Sequence, residues 1–152
     1  MDDIVDQIMD VMEAAFDPTW GEAWSRNQVR DALAMPSTFA ILIDQHGHID
    51  NYQISSSVGF CLSRSAPGEE ELLLIAVKPA NRESGLGRKL IQKLVENARF
   101  RDINGIFLQM RANNSAEHLY RGCGFEPIGK RQKYYRLADG SRMDAITFKL
   151  SI

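Results

Sequence analysis

The sequence predicts one α/β domain with a mixed sheet, covering residues 1–152. An apolar run at residues 72–77 reads as a buried strand. A glycine loop, an amphipathic helix and a second strand at residues 106–111 follow it, a crossover that leaves the two strands parallel. Residues 125–150 read as a hairpin, which is antiparallel. The length of 152 residues suits a single domain with a real core, and no repeat, low-complexity stretch or linker divides it.

Each element has its own signal. Ile4, Val5, Ile8, Met9, Val11, Met12 and Phe16 recur at helical spacing, so a first helix ends before Pro18. Residues 17–24 form a loop with Trp20 and Trp24, which either rim an acceptor site or close the core. Ser25 suits the N-cap of a second helix carrying Val29 and Leu33, and Met35-Pro36 ends it. Residues 39–44 are a strand. Residues 45–51, with His46-Gly47-His48, are a solvated turn; two histidines without a third ligand nearby do not make a metal site. A strand at 57–63 and a turn at 66–68 precede Glu69, Glu70 and Glu71. Three carboxylates in a row usually face solvent, yet neighbours in a strand point to opposite sides, so Glu70 and Glu71 cannot share an environment.

The helix after the glycine loop runs from about Gly85 to Arg101 and turns Leu86, Leu90, Ile91, Leu94, Val95 and Ala98 to the sheet. Residues 113–121 are a short helix, stopped by Gly122-Cys123-Gly124. A strand from 125 to 135, a turn at Asp139-Gly140 and a return strand at 143–150 complete the chain.

Composition narrows the class. Hydrophobic residues make up 44% and charged residues 25%, a globular balance. A net charge of −2 argues against nucleic acid as a partner. The start is acidic and lacks the basic segment of a signal peptide, and no apolar run reaches membrane-spanning length. Cys61 and Cys123 make neither a disulfide scaffold nor a zinc set. The expectation is a cytoplasmic protein without metal, nucleic-acid or membrane partner.

The loop between strand and helix carries the chemistry. The first N–H groups of a helix lack partners and carry partial positive charge, and Gly85 and Gly87 let an anion approach them. Residues 83–88 read as a pyrophosphate cradle. The spacing is not that of a Walker A loop, and Leu90 stands where a dinucleotide fingerprint needs its third glycine. What remains is Arg82-x-x-Gly85-x-Gly87, which resembles the R/Q-x-x-G-x-G/A loop of the GNAT N-acetyltransferases. Three further stretches agree. Asn113-x-x-Ala116-x-x-Leu119-Tyr120 followed by Gly124-Phe125 resembles the N-x-x-A-x-x-L-Y…GF segment of that superfamily. Tyr134-Tyr135, Asp139-Gly140 and Asp144-Ala145-Ile146 resemble the tail of its RimI branch, and Trp24-Ser25 the W-S of the same branch.

The resemblance implies the GNAT fold, a mixed and mostly antiparallel sheet with a central parallel pair and helices on both faces. It implies acetyl-CoA as cosubstrate and direct attack of an amine, most characteristically the α-amine of a protein or peptide N-terminus such as a ribosomal protein's, with the enzyme a monomer or weak homodimer. By the same resemblance, the backbone of Ile75, Ala76 and Val77 would pair with the pantetheine arm. Arg82, Glu83, Ser84, Gly85, Leu86, Gly87 and Arg88 would hold the pyrophosphate, and Asn113 the cofactor near its reactive end. Tyr120 would be the general acid for the departing thiolate, and an N–H near Val77 would face the carbonyl oxygen. Trp24, Tyr134 and Tyr135 would line the acceptor.

Two departures bear on the mechanism. The branch places a glutamate two residues before its strand arginine, and Gln109 stands there, which holds no proton at useful pH. Other branches place the base on the strand before the phosphate loop, where Glu71 falls; the expectation is that Glu71 acts through a water while Gln109 orients a water or a substrate carbonyl. Only Ala112 separates Arg111 from Asn113, one residue fewer than usual. Asn114 fits the arginine spacing and Asn113 the distance to Tyr120; the helix register favours Asn113. Acetylation of a small-molecule amine, and acyl-CoA binding with little catalysis, are the alternative functions.

Overall fold

The computed structural model describes residues 2–50 and 56–152. Helix α1 (Asp2–Ala15) buries Val5, Ile8, Val11 and Met12, the stripe set by its sequence spacing. Asp17 caps a short 3-10 turn at Pro18–Trp20. Helix α2 (Arg26–Leu33) opens with a full capping box: Ser25 Oγ accepts from Gln28 N, and Gln28 Oε1 from Ser25 N. Then come β1 (Thr38–Ile43), β2 (Ile49–Asp50), β3 (Gly59–Ala66), β4 (Glu69–Val77), α3 (Leu86–Phe100), β5 (Gly105–Arg111), α4 (Glu117–Gly122), β6 (Glu126–Arg136) and β7 (Arg142–Ser151).

Among the described residues the strands form one seven-stranded sheet, ordered β2-β1-β3-β4-β5-β7-β6. Every neighbouring pair is antiparallel except β4–β5, which is parallel. The expected mixed sheet with one parallel pair is therefore present. The helices cover both faces, each over its own core. On one face α1 and Val29 of α2 pack on Ala40, Leu42, Phe60 and Leu62. On the other, Leu86, Leu90, Ile91, Leu94 and Ala98 of α3 pack on Ile41, Ile43, Leu72, Ile106 and Leu108.

Several expectations shift. The turn expected at 45–51 is tighter: Asp44 accepts from the N–H groups of His46 and His48, and Ile49 already pairs with Ile43. Asn51 lies outside the described residues. Helix α4 starts at Glu117 rather than 113 and runs to Gly122, and within the expected Gly122-Cys123-Gly124 stop it is Gly124 that closes it. Gly124 has φ +99°, with Phe125 N–H donating to Tyr120 O and Gly124 N–H to Arg121 O, a Schellman closure. Of the three consecutive glutamates Glu70 does not face solvent: it is 1% exposed and meets Arg101 at 2.5 Å, while Glu71 pairs with Arg64 across β3.

One irregularity shapes the rest. Between Leu62 and Ser63 the β3–β4 register shifts, because Leu62 faces Leu74 and Ser63 faces Leu72, leaving Leu73 as an extra residue. The parallel pairing of β4 with β5 runs only from Glu69–Gly105 to Leu72–Leu108. Beyond that point the two strands part.

Candidate active site

A cleft of about 760 Å³ opens where β4 and β5 part. Leu73–Val77 form one wall, Gln109–Arg111 another, the loop at 82–88 one end, and α4 with Tyr120 the floor. Alternate residues of a strand aim their N–H and C=O groups at the same neighbour. Those of β4 beyond Leu72 that would have met β5 face the cleft instead.

The end loop is built to stay open. Gly85 sits at φ +83°, a conformation natural to glycine, and no side chain caps the helix that starts there. The N–H groups of Leu86, Gly87 and Arg88 therefore point out of α3 without intrahelical partners. A Cβ on Gly85 would meet nothing within 4 Å, so space for a ligand lies beside it. A Cβ on Gly87 would press Leu119 at 3.0 Å, so this glycine serves the approach of α4 to α3. Arg82 lines the cleft at this end. Its guanidinium donates to Val77 O at 3.0 Å and Ala15 O at 2.9 Å, tying the loop to the end of β4 and the last carbonyls of α1. Ser84 Oγ donates to Asn81 O. Arg88 lines the cleft and donates to Gly122 O.

Tyr120 is 8% exposed and stacks edge-on against Phe125 at 5.9 Å. Burial raises its pKa, and the nearby Glu22 carboxylate raises it further. Tyr135 reaches in from β6, and its hydroxyl donates to Gln109 O at 3.2 Å. Burial and then Glu22 push this phenol up to about 12. Tyr134, its neighbour on the strand, points out and is 47% exposed, under Arg131 at 4.6 Å. Trp24 lines the cleft and also packs on the α1 core.

Two expectations are corrected. Asn113 lies outside the cleft, exposed, with φ +66°. Asn114 lines it, donating to Glu22 at 2.9 Å and accepting from Ala116 N. The missing residue is absorbed by the left-handed turn at Asn113, which Asn tolerates, and the next side chain swings inward. Glu71 is also outside the lining. It pairs with Phe107 of β5, where the strands are still joined, and its carboxylate meets Arg64 at 3.0 Å. Its charge is the smallest contributor to the Tyr135 environment.

The sequence reading missed Glu22. Its side chain is only 14% exposed and stands 3.3 Å from Arg111, itself stacked under Trp20 at 3.9 Å. No local motif marks it; a carboxylate between two tryptophans in a glycine-containing loop was the available signal.

Residues 39–127 match the family description of the acetyltransferase (GNAT) domain. The N-alpha-acetyltransferase RimI of Mycobacterium tuberculosis is 32% identical, over 84% of this chain and 75% of its own. The ribosomal protein bS18-alanine N-acetyltransferase of Escherichia coli K12 is 34% identical, over 67% of this chain and 71% of its own. A crystal structure of the ribosomal-protein-S18-alanine N-acetyltransferase from Escherichia coli superposes with a TM-score of 0.80 at 25% identity, covering 97% of this chain and 87% of the other.

Proposed function

The chain belongs to the GNAT acetyltransferase family, and on that premise we propose that it moves an acetyl group from acetyl-CoA to the α-amine of a protein N-terminus. The observation that carries this is the parting of β4 and β5 beside an uncapped helix start. A strand edge with free backbone groups suits the amide-bearing pantetheine arm, which docks as an added strand would. The N–H groups at 86–88 suit a pyrophosphate. A relative named as an N-alpha-acetyltransferase and another named for acetylating an alanine of ribosomal protein bS18 support the choice of a protein acceptor. Acetylation of small amines and acyl-CoA binding without turnover have no comparable support.

The residues fit the roles. Glu83–Arg88 hold the diphosphate through main-chain N–H groups, with Arg82 fixing the loop from the cleft wall. The backbone of Ile75, Ala76 and Val77 aligns the arm, so the thioester meets Tyr120. Bound acetyl-CoA supplies an acyl carbon open to attack. Tyr120, kept protonated by burial, donates to the sulfur as it departs. Asn114, rather than Asn113, braces the acceptor half. Trp24 and Tyr135 flank the incoming peptide, with Tyr134 at the outer rim. Holding amine and acyl carbon together supplies much of the rate. Titration calorimetry with CoA, followed by a panel of N-terminal peptides against polyamines and amino sugars, tests the proposal. Binding of CoA with turnover on the peptides is expected; turnover only on small amines would redirect the substrate class, and no CoA binding would end the reading.

A further inference from the structure

We propose that Glu22 is the carboxylate that takes the proton from the acceptor's ammonium group, with Gln109 Oε1 as the second acceptor holding that nitrogen. This rests on the acetyltransferase reading above and deepens it.

The geometry begins with Gln109. Its Oε1 is buried with no hydrogen-bond partner, and the residue lines the cleft. A buried acceptor without a donor is costly, and an N–H of a ligand is what it lacks. Gln109 and Arg111 are two apart on β5, so they share a face. Glu22 lies over that face, 3.3 Å from Arg111 Nε. Arg111 Nε makes no hydrogen bond, so the contact is electrostatic, and Glu22 Oε1 keeps its lone pairs. Glu22 Oε2 accepts one bond, from Asn114. Two acceptor oxygens with spare capacity thus border one face of the cleft, where an ammonium has N–H donors to offer.

The loop holding Glu22 is pinned. Trp20 stacks on Arg111, Arg111 attracts Glu22, and Asn114 bonds it from the start of the α4 turn. The groups facing Glu22 are Arg111 from β5, Tyr120 from α4 and Tyr135 from β6; His118 of α4 lines the same cleft. The field of Glu22 reaches both phenols, so proton acceptor and proton donor border one reaction space. Glu71, which the sequence suggested for this task, is held by Arg64 outside the lining.

The step balances as follows. The ammonium gives one proton to Glu22 and becomes a neutral amine. Its lone pair forms the N–C bond, and the C–S bond breaks. Tyr120 gives its phenolic proton to the sulfur. The surplus proton on nitrogen returns through cleft water to Tyr120, and Glu22 releases its proton to solvent. The sum is an ammonium and a thioester giving an amide, a thiol and one proton.

The test is the pH profile of kcat/KM with an N-terminal peptide whose α-amine has a pKa near 8. If Glu22 carries the proton, the protonated acceptor is productive and the wild-type profile is flat between about pH 6 and 8. E22Q must wait for neutral amine, so its kcat/KM rises about tenfold per pH unit over that range, with kcat about 10²-fold lower. The double variant E22Q/Q109E, which puts a carboxylate on the same face, recovers the plateau. A residue serving only to hold the loop would change amplitude but not slope. A tenfold rise per unit in the wild type, or a plateau kept in E22Q, overturns the proposal, and the wild-type profile decides even if E22Q folds poorly. CoA affinity by calorimetry stays unchanged in each variant. Absence of CoA binding by the wild type, or its silence on every peptide and every small amine, would sink the acetyltransferase reading itself, a result distinct from a wrong slope.

Discussion

Tyr120 sits against Phe125 and Phe148, out of water and within the field of Glu22. Each effect disfavours the phenolate. An unperturbed tyrosine ionises near pH 10. With its pKa raised, Tyr120 stays a donor through the neutral and mildly alkaline range, and that role is lost only as pH climbs through the higher, folded value. Y120F should lower kcat by about 10²-fold or more and leave CoA affinity unchanged, measured by steady-state kinetics and calorimetry. A loss of activity traceable to this phenol and centred at or below pH 10 would contradict the burial argument. Asn113 and Asn114 separate just as cleanly. N114A removes two hydrogen bonds, one to Glu22 and one to the turn before α4, so it should cost about 2 kcal/mol in denaturant unfolding and lower kcat. N113A, at an exposed side chain, should leave kcat unchanged, with only a small stability loss because alanine tolerates the left-handed turn less well than asparagine. At this scale the sequence pointed to Tyr120, which lines the cleft, because it lies within a local motif. Glu22 stayed hidden, because its partner Asn114 is 92 positions away.

The elements followed from pattern wherever the pattern was local. Helical spacing placed α1 and α3, and Ser25 placed the start of α2. Strand β2 could not be read, since two residues carry no period. Nor could the β4 bulge, since Leu72, Leu73 and Leu74 are alike and only the partner strand decides which one is extra. The irregular stretch of β6 near Lys133 (φ +52°), whose N–H donates to Asp144, is equally a matter of pairing. The loop before α3 is the element most open to test. Alanine at Gly85 would have to adopt a left-handed backbone, costing about 1–2 kcal/mol. G85A should lower stability by that amount in denaturant unfolding and weaken CoA binding, because the N–H groups behind it would turn. An unchanged affinity would argue that the diphosphate is held elsewhere.

Across the whole molecule the parallel pair is the pivot. On its closed side Glu70, fully shielded, meets Arg101 from the end of α3, and Arg101 also covers Phe39 at 4.5 Å. This links β4, α3 and β1 at the end opposite the cleft. Removing the arginine would leave a buried carboxylate without compensation, so R101A should destabilise the protein by about 3–5 kcal/mol in denaturant unfolding. R101M with E70L, which removes both charges, should recover most of that loss. If R101A proved nearly neutral, the joint would not be holding the strands together.

By itself the sequence determined most of the elements, the parallel crossover, and where the glycine loop and the tyrosine of α4 fall, because periodicity, capping and motif spacing are properties of neighbouring residues. Only the tertiary structure decided that the strands part after Leu72, that Asn114 turns inward, that Glu70 is buried while Glu71 is not, and that a loop glutamate borders the cleft. Each of these depends on which distant segments pack together, and the energy of that packing is written in no single stretch of the chain.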